Sequence, residues 1–207
     1  MREKSFKRMN ELIDAGLDEF SMKNYRNASL NKIIENAGIS KGTFYYYFKD
    51  KKALYMYIFK SVYGAEEEFI NNRMNEFTGD YKIKNIFDKF KLQFQIGGEF
   101  AAAYPKYYKF ITMVLKEKKS EIDEDVKTSS EITGNIWLDN LIEKAIEDGD
   151  FNLRFNTAFI KRIMRYLFQN YFEIFNEDED YELDKMLENA DNFAEFLKYG
   201  LSNQRRI

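Results

Sequence analysis

Helix breakers are scarce in this chain, and this scarcity restricts the folds open to it more than any other feature of the sequence. The 207 residues include one proline and ten glycines. Apolar residues recur every three or four positions, as they do on the buried face of an α-helix. No stretch shows the alternation that is typical of a β-strand. The sequence therefore predicts an all-α protein of about nine helices.

Capping residues and glycines divide the helical pattern into segments. The predicted helices lie near residues 4–21, 30–37, 41–48, 51–77, 81–97, 105–118, 121–148, 156–176 and 180–201. The predicted N-caps are Ser29, Ser40 and Asp50, and the predicted helix ends fall at Gly38, Gly97-Gly98 and Gly149. Pro105 fits the first turn of a helix, where its missing N–H costs nothing.

The chain contains neither cysteine nor histidine, which excludes several classes of chemistry. A disulfide framework, thiolate or imidazole zinc sites, and histidine-dependent catalysis all need side chains that are absent. No G-x-G-x-x-G, P-loop or nucleophile-elbow motif is present either. We therefore expect no enzymatic activity, no metal site and no cofactor.

Basic residues are concentrated at the N-terminal end of the chain. Residues 1–52 contain 11 Lys/Arg and 7 Asp/Glu, a net charge of +4, whereas the remaining residues carry a net charge of −7. A basic head on an acidic body is expected when only the head contacts a polyanion, although such an excess also arises by chance. No signal segment or apolar run of roughly 18 residues is visible, so we expect a cytoplasmic protein with no membrane partner.

Residues 29–54, SLNKIIENAGISKGTFYYYFKDKKAL, carry the most informative pattern. Two short predicted helices are joined by a tight turn at residues 38–40, as in a helix-turn-helix motif. The apolar residues that would bury its inner faces against the first helix are Leu30, Ile33, Ala37, Ile39, Phe44 and Phe48.

The second of these helices has a buried side and an outward side. Because each helical residue advances about 100°, Phe44 and Phe48 define the buried side and Tyr46 points almost directly away from it. Outward side chains reach base edges, and flanking hydroxyls reach phosphates, when such a helix enters the major groove. Three consecutive tyrosines at 45–47 also suit ordinary amphipathic packing, so the trio alone leaves both roles open.

With its surroundings, this segment resembles the N-terminal signature of the TetR/AcrR family of transcriptional regulators. In IIENAGISKGTFYYYFKDKKAL, a short helix ends in A-G-I-S, then K-G-T-F-Y follows, and a phenylalanine precedes a lysine-containing start of the next helix. The resemblance covers residues 5–55, and the remainder agrees in length, helical pattern and the turn at Gly149. Ile34 stands where alanine is common, and Tyr46-Tyr47 is particular to this chain.

The resemblance implies a helix-turn-helix head over residues 1–49 and a helical ligand-binding and dimerisation body over residues 50–207. It implies a repressor that binds near-palindromic double-stranded operator DNA as a homodimer and is released by a small ligand. By family analogy, the DNA-binding residues are Ser29, Ser40, Lys41, Gly42, Thr43, Tyr45, Tyr46, Tyr47 and Lys51. Gly42 and Tyr46 match positions near the bases. A helical adaptor whose head no longer reads DNA is the alternative.

The predicted helix near residues 155–175 has more apolar residues than one helix face can bury in the core of its own subunit. Residues at helical spacing near the C-terminus predict a dimer interface of four helices, two from each subunit, with Phe159, Ile163, Leu167, Tyr171, Leu187, Phe193 and Leu197. Aromatic and methionine side chains in the middle helices suit either a filled core or a cavity for a largely apolar or aromatic effector. The candidate effector-lining residues are Phe90, Phe94, Tyr107, Phe110, Met113, Trp137 and Leu141.

Overall fold

The computed structural model describes residues 2–77, 85–116, 138–152, 154–175 and 183–203. Its helices are α1 (Arg2–Met22), α2 (Leu30–Asn36), α3 (Lys41–Tyr47), α4 (Lys51–Glu76), α5 (Ile86–Ala103), α6 (Pro105–Lys116), α7 (138–147), α8 (Thr157–Gln169), α9 (Tyr171–Phe175) and α10 (Leu183–Leu201). Within these ranges, β-structure is limited to one isolated antiparallel bridge between Phe151 and Ser202. The predicted all-α fold is confirmed.

The predicted signals at Ser29, Ser40, Asp50 and Gly38 are confirmed. Ser29 and Ser40 cap α2 and α3 through their side chains, and the Asp50 carboxylate accepts from the Ala53 N–H at 2.8 Å at the start of α4. Gly38 has φ +62° after α2, where the N–H of Ile39 reaches back to the Ile34 carbonyl. Such a left-handed residue closes a helix at little cost because glycine has no Cβ.

Two predicted boundaries are wrong. Gly97-Gly98 does not end a helix, because α5 runs through it to Ala103. A Cβ on Gly98 would lie 2.8 Å from Leu187 Cδ2 on α10, so glycine at this position permits close packing of the two helices and does not end α5. The predicted helix 156–176 is two helices, because the Asn170 side-chain amide donates to the Tyr166 carbonyl at 2.8 Å and ends α8.

The first of two compact units comprises Met1–Glu68 and Ala101–Val126. In it α1 packs along α2 and α6, and Lys106 at the start of α6 donates to Asp14 and Asp18 on α1. The largest fully buried side chains of this unit are Leu12, Phe20, Ile33, Phe44, Leu54, Ile58 and Phe110. The predicted head boundary at residue 49 falls inside this unit, and the division into head and body stays a prediction.

The second unit comprises Phe69–Phe100 and Lys127–Ile207. Its core is aromatic: Phe168 lies 4.6 Å from Phe90 and 5.5 Å from Phe193, measured between ring centroids. Gly149, with φ +78°, closes α7 as predicted, and the chain then pairs Asn152 with Leu201 at the end of α10. No helix in the described part of the chain is long and apolar enough to cross a bilayer.

Candidate nucleic-acid interface

Helix α3 is anchored by two phenylalanines and presents tyrosines to solvent. Phe44 and Phe48 are buried, whereas Tyr46 is 80% exposed and Tyr45 is 59% exposed. Tyr47 is half-buried on the other flank, with its ring edge-on to Tyr46 at a centroid distance of 5.1 Å. The helix wheel predicted this division. The Tyr46 ring therefore projects from a fixed helix, as a side chain that reads a DNA groove must.

Hydroxyl groups fix the first turn of α3. Ser40 Oγ accepts from the Thr43 N–H at 3.1 Å and lies 2.9 Å from the Thr43 hydroxyl. Lys41 and Gly42 are exposed on the same turn. A Cβ on Gly42 would meet nothing closer than Ser40 Oγ at 3.7 Å, so the surface at this turn is uncrowded.

Ser29 caps α2, and its own amide is held by a buried carboxylate. The Ser29 N–H donates to Glu19 Oε1 at 3.0 Å, while Ser29 Oγ accepts from the Lys32 N–H at 3.4 Å. Glu19 is 2% exposed and also pairs with the ammonium groups of Lys23 and Lys32. Burial raises the pKa of the Glu19 carboxyl, but the Ser29 N–H and the two ammonium groups outweigh this effect, so its pKa is lowered overall.

Sequence reasoning missed Glu19. It lies seven residues after Leu12 and four after Ala15, both of which are buried on α1. A single carboxylate within an apolar helical stripe is the signal that could have identified it, because buried charges in proteins are paired.

Lys51 begins α4, and its ammonium group faces the link between α1 and α2. Its Nζ donates to the backbone oxygen of Tyr25 at 2.7 Å and of Ala28 at 2.9 Å, and it lies 3.4 Å from that of Arg26. The same ammonium lies 4.5 Å from the centroid of the Tyr25 ring, a cation–π distance. A phosphate contact by Lys51 therefore competes with acceptors inside the protein.

The candidate effector-lining residues are divided between the two units. In the second unit Phe90 is buried, and Phe94 and Leu141 pack against the same core. In the first unit Phe110 is buried beside Tyr55 at 5.5 Å, and Tyr107 and Met113 are half-buried. Trp137 lies outside the described residues. The role of these residues stays a prediction.

The candidate interface residues differ in exposure. Tyr171, Phe193 and Leu197 are buried in the core of their own unit, so a second copy would not reach them in this conformation. Ile163, Leu167 and Leu187 are half-buried, and Phe159 is exposed. Phe196, which is part of the apolar pattern predicted for the last helix, is exposed on α10. Two large exposed residues that sequence reasoning left out lie on the same helices: Tyr166 on α8 and Tyr199 on α10. Apolar spacing alone could have found them as the second face of each helix.

Metal ligands do not cluster in the described part of the chain, where no group of three or more carboxylates is placed to hold a metal ion. The exposed side of the head at α3 and the turn before it is polar. It carries hydroxyl groups, one lysine (Lys41) and the exposed rings of Tyr45 and Tyr46. Such groups contact phosphates and base edges.

Comparison with known proteins agrees with this geometry. Residues 12–58 match the model of the family described as bacterial regulatory proteins, tetR family. The chain is 30% identical over 151 residues, 72% of its length and 73% of the relative's, to the fatty acid metabolism regulator protein of Bacillus subtilis.

Solved structures share the fold. The transcriptional regulator FadR from Bacillus subtilis in complex with stearoyl-CoA matches with a TM-score of 0.65 at 20% identity, covering 93% of this chain and 98% of that one. The fatty acid degradation regulator FadR from Bacillus halodurans matches with a TM-score of 0.63 at 20% identity, covering 90% and 97%.

Proposed function

This chain belongs to the tetR family of bacterial regulatory proteins, and from that premise we propose that it is a repressor that binds near-palindromic operator DNA as a homodimer. Its heads occupy adjacent major-groove half-sites about one helical turn apart. It acts by binding rather than by catalysis. Its partner DNA lies in the bacterial cytoplasm, which is where we propose that it acts.

The exposure of Tyr46 on an anchored α3 is the observation that carries this proposal. A helix that reads base edges needs a rigid inner face and an accessible outer one. Phe44 and Phe48 supply the first, and Tyr46 with Gly42 supplies the second. Lys41 and Thr43, on the same turn, are placed to contact the phosphate backbone.

We propose a long-chain fatty acyl thioester as the effector. Support comes from the relatives: one is named a fatty acid metabolism regulator, and one was solved with stearoyl-CoA. The second unit offers matching chemistry, because Phe94 stacks on Tyr171 and Phe168 within a continuous apolar cluster. An acyl chain buried among such side chains gains free energy in proportion to the apolar area removed from water.

Release from DNA follows from differential affinity. The effector favours a state of the dimer whose two heads are misspaced for the operator, and it shifts the equilibrium only as far as it binds that state better. Typical couplings of this kind change DNA affinity by about 5- to 150-fold.

Selection of source-genome fragments on the purified protein tests the DNA-binding proposal. The bound fragments are sequenced, and a double variant, Lys41→Ala with Tyr46→Ala, serves as the matched control. We expect enrichment of a short inverted repeat by the wild type alone. If the wild type enriches no repeat above this control, the proposed readout fails and the adaptor alternative is favoured.

Fluorescence anisotropy with the selected operator tests the effector. Stearoyl-CoA is added at rising concentration, with coenzyme A and free stearate as controls. We expect stearoyl-CoA to weaken operator binding by at least about fivefold and coenzyme A to leave it unchanged. An unchanged operator Kd with saturating stearoyl-CoA would exclude the thioester as effector while leaving the DNA-binding proposal intact.

A further inference from the structure

One backbone peptide group in the head is held from both sides by charged side chains. The carbonyl of Ala28 accepts from Lys51 Nζ at 2.9 Å, and the N–H of Ser29, in the same peptide group, donates to Glu19 Oε1 at 3.0 Å. The C=O and N–H of a trans peptide point in opposite directions, and the described residues contain no cis peptide. Glu19 and Lys51 therefore approach from opposite sides, one from α1 and one from α4. We call Glu19, the Ala28–Ser29 peptide and Lys51 the peptide clamp.

The ammonium group of Lys51 is committed to this link. It has three N–H donors, and the backbone oxygens of Tyr25, Arg26 and Ala28 lie within 3.4 Å of it. The Tyr25 ring beneath it packs edge-on against Tyr55 at 5.2 Å and is stacked with Phe20 at 6.4 Å. A lysine that turned to a phosphate would leave carbonyl groups without their donor and lose the ring contact.

We infer that Lys51 is a positioning residue for DNA recognition: it fixes the Ala28–Ser29 peptide, and with it the N-cap of α2, instead of contacting a phosphate itself. This inference rests on the proposed DNA-binding function. Ser29 caps α2, and α2 leads through the turn at Gly38 into α3. A displaced Ala28–Ser29 peptide therefore shifts the start of the pair of helices that reads the operator.

The salt dependence of operator binding separates the two roles of Lys51. Each phosphate contact contributes about −0.9 to the slope of log affinity against log salt concentration, whereas a residue that acts through the backbone contributes nothing to it. Lys51→Met keeps the length of the side chain and removes its charge. Lys41→Met, on the exposed first turn of α3, is the matched control that removes one lysine from the proposed DNA surface.

We expect Lys51→Met to weaken operator binding by about tenfold at every salt concentration with an unchanged slope. Lys41→Met should instead flatten the slope by about 0.9. If Lys51→Met flattens the slope by the same amount as Lys41→Met, Lys51 contacts a phosphate and the inference is overturned.

General destabilisation is a second explanation that the experiment must exclude. Ile58→Val removes one buried methyl group from α4, seven residues beyond Lys51 and away from the clamp. It should lower the unfolding midpoint while leaving operator affinity within about twofold of the wild type. If Ile58→Val lowers the unfolding midpoint and the operator affinity as much as Lys51→Met does, the effect of Lys51 is general destabilisation and the inference is overturned.

The clamp also has a readout that needs no DNA. Hydrogen exchange of the Ser29 amide, measured by NMR on the full chain, should be at least about tenfold faster in Lys51→Met, because the peptide is then held from one side only. An unchanged exchange rate overturns the inference. If the wild type enriches no operator, the proposed function fails, and the exchange rate still decides whether the clamp exists.

Discussion

Glu19 and Lys51, on two different helices, hold one peptide group between them. Glu19 accepts its N–H, at Ser29, and Lys51 donates to its carbonyl, at Ala28. The link between α1 and α2 is irregular, so its backbone groups find partners outside the helical pattern. The Glu19 carboxylate and the Lys51 ammonium therefore satisfy backbone groups of this link that have no partner in a helix.

Removal of the Glu19 carboxylate should destabilise the fold. Glu19→Ala leaves the partly buried Ser29 N–H without this acceptor and removes the carboxylate that pairs with Lys23 and Lys32. We expect the free energy of unfolding at pH 7 to fall by about 2–3 kcal/mol in urea titrations. Glu35→Ala, an exposed carboxylate on α2, should change it by less than about 0.5 kcal/mol.

The stabilisation from Glu19 should depend on pH in one direction. The pKa of Glu19 is lowered in the folded state, because burial, which raises it, is outweighed by the Ser29 N–H and the ammonium groups. Its contribution is therefore present at neutral pH and is lost as the pH falls through the folded pKa. The stability difference between wild type and Glu19→Gln should shrink below about pH 4, and a constant difference from pH 3 to pH 7 would contradict this account.

Glu66 should show the opposite behaviour. It lies on α4 four residues after the buried Val62, and burial raises the pKa of its carboxyl to about 7. Because the folded state holds the proton more tightly than the unfolded state, the stability of the wild type falls as the pH rises through the interval up to about 7.

The variant Glu66→Gln removes this titration. We expect it to be more stable than the wild type by about 1–3 kcal/mol at pH 8, with the advantage fading toward pH 5. Exposed Glu67→Gln, at the next position of the same helix, is the matched control for the loss of one carboxylate from α4. A pH-independent difference for Glu66→Gln would mean that its carboxyl titrates normally in the folded chain.

Adjacent glycines in α5 should respond differently to alanine. A Cβ on Gly97 meets nothing within 4 Å, so Gly97→Ala should stabilise the fold by up to about 1 kcal/mol through helix propensity. A Cβ on Gly98 would lie 2.8 Å from Leu187 Cδ2, so Gly98→Ala should lose most of that gain or be destabilising. Thermal unfolding of the two variants measures the difference. The double variant Gly98→Ala with Leu187→Ala removes the side chain that the new Cβ would meet. Equal gains in stability at both glycines would exclude tight packing at Gly98.

Substitution of Tyr46 should change which sequences are bound. Among the tyrosines of α3, Tyr46 is the most exposed, so Tyr46→Ala removes the proposed base contact without removing a core residue. We expect a loss of about 1–3 kcal/mol on the preferred operator and a smaller loss on scrambled DNA, measured as a ratio of Kd values at fixed salt. Lys41→Met should weaken both DNAs equally. If Tyr46→Ala weakens binding to the operator and to scrambled DNA equally, Tyr46 contacts the DNA backbone and not a base.

The sequence predicts most of what depends on neighbouring residues. Ser29, Ser40 and Asp50 cap the expected helices, and Gly38 and Gly149 end them, because caps and left-handed glycines follow from local backbone geometry. The inner and outer faces of α3 could also be predicted, because they depend only on the spacing of residues along one helix.

What the sequence could not predict depends on residues far apart along the chain. In the sequence Gly98 resembles a helix end, and only the structure shows that it makes room for the Leu187 side chain. The acceptors of Lys51 are backbone carbonyls more than 20 residues away, and backbone atoms leave no mark in a sequence. Apolar spacing marks both faces of α10, but only packing shows that Phe193 is inside and Phe196 is outside.

The exposed aromatic residues of α8 and α10 support the proposed dimer and give its sharpest test. Phe196 and Tyr199 are 67% and 68% exposed and are one helical turn apart on α10, and Phe159 and Tyr166 are exposed at seven-residue spacing on α8. Large apolar side chains in such numbers on neighbouring elements mark contact surfaces. Covering them with a second copy removes their apolar area from water at about 25 cal/mol per Å².

A charge placed on this surface should therefore separate the subunits. We expect Phe196→Glu to give the monomer mass in light scattering at micromolar concentration, where the wild type gives the dimer mass. Tyr104→Glu, at an exposed aromatic residue between α5 and α6, should remain a dimer. Because operator half-sites bind the two heads jointly, Phe196→Glu should also lose most of its operator affinity while its helical content stays unchanged. A dimeric Phe196→Glu would place the subunit interface elsewhere on the chain.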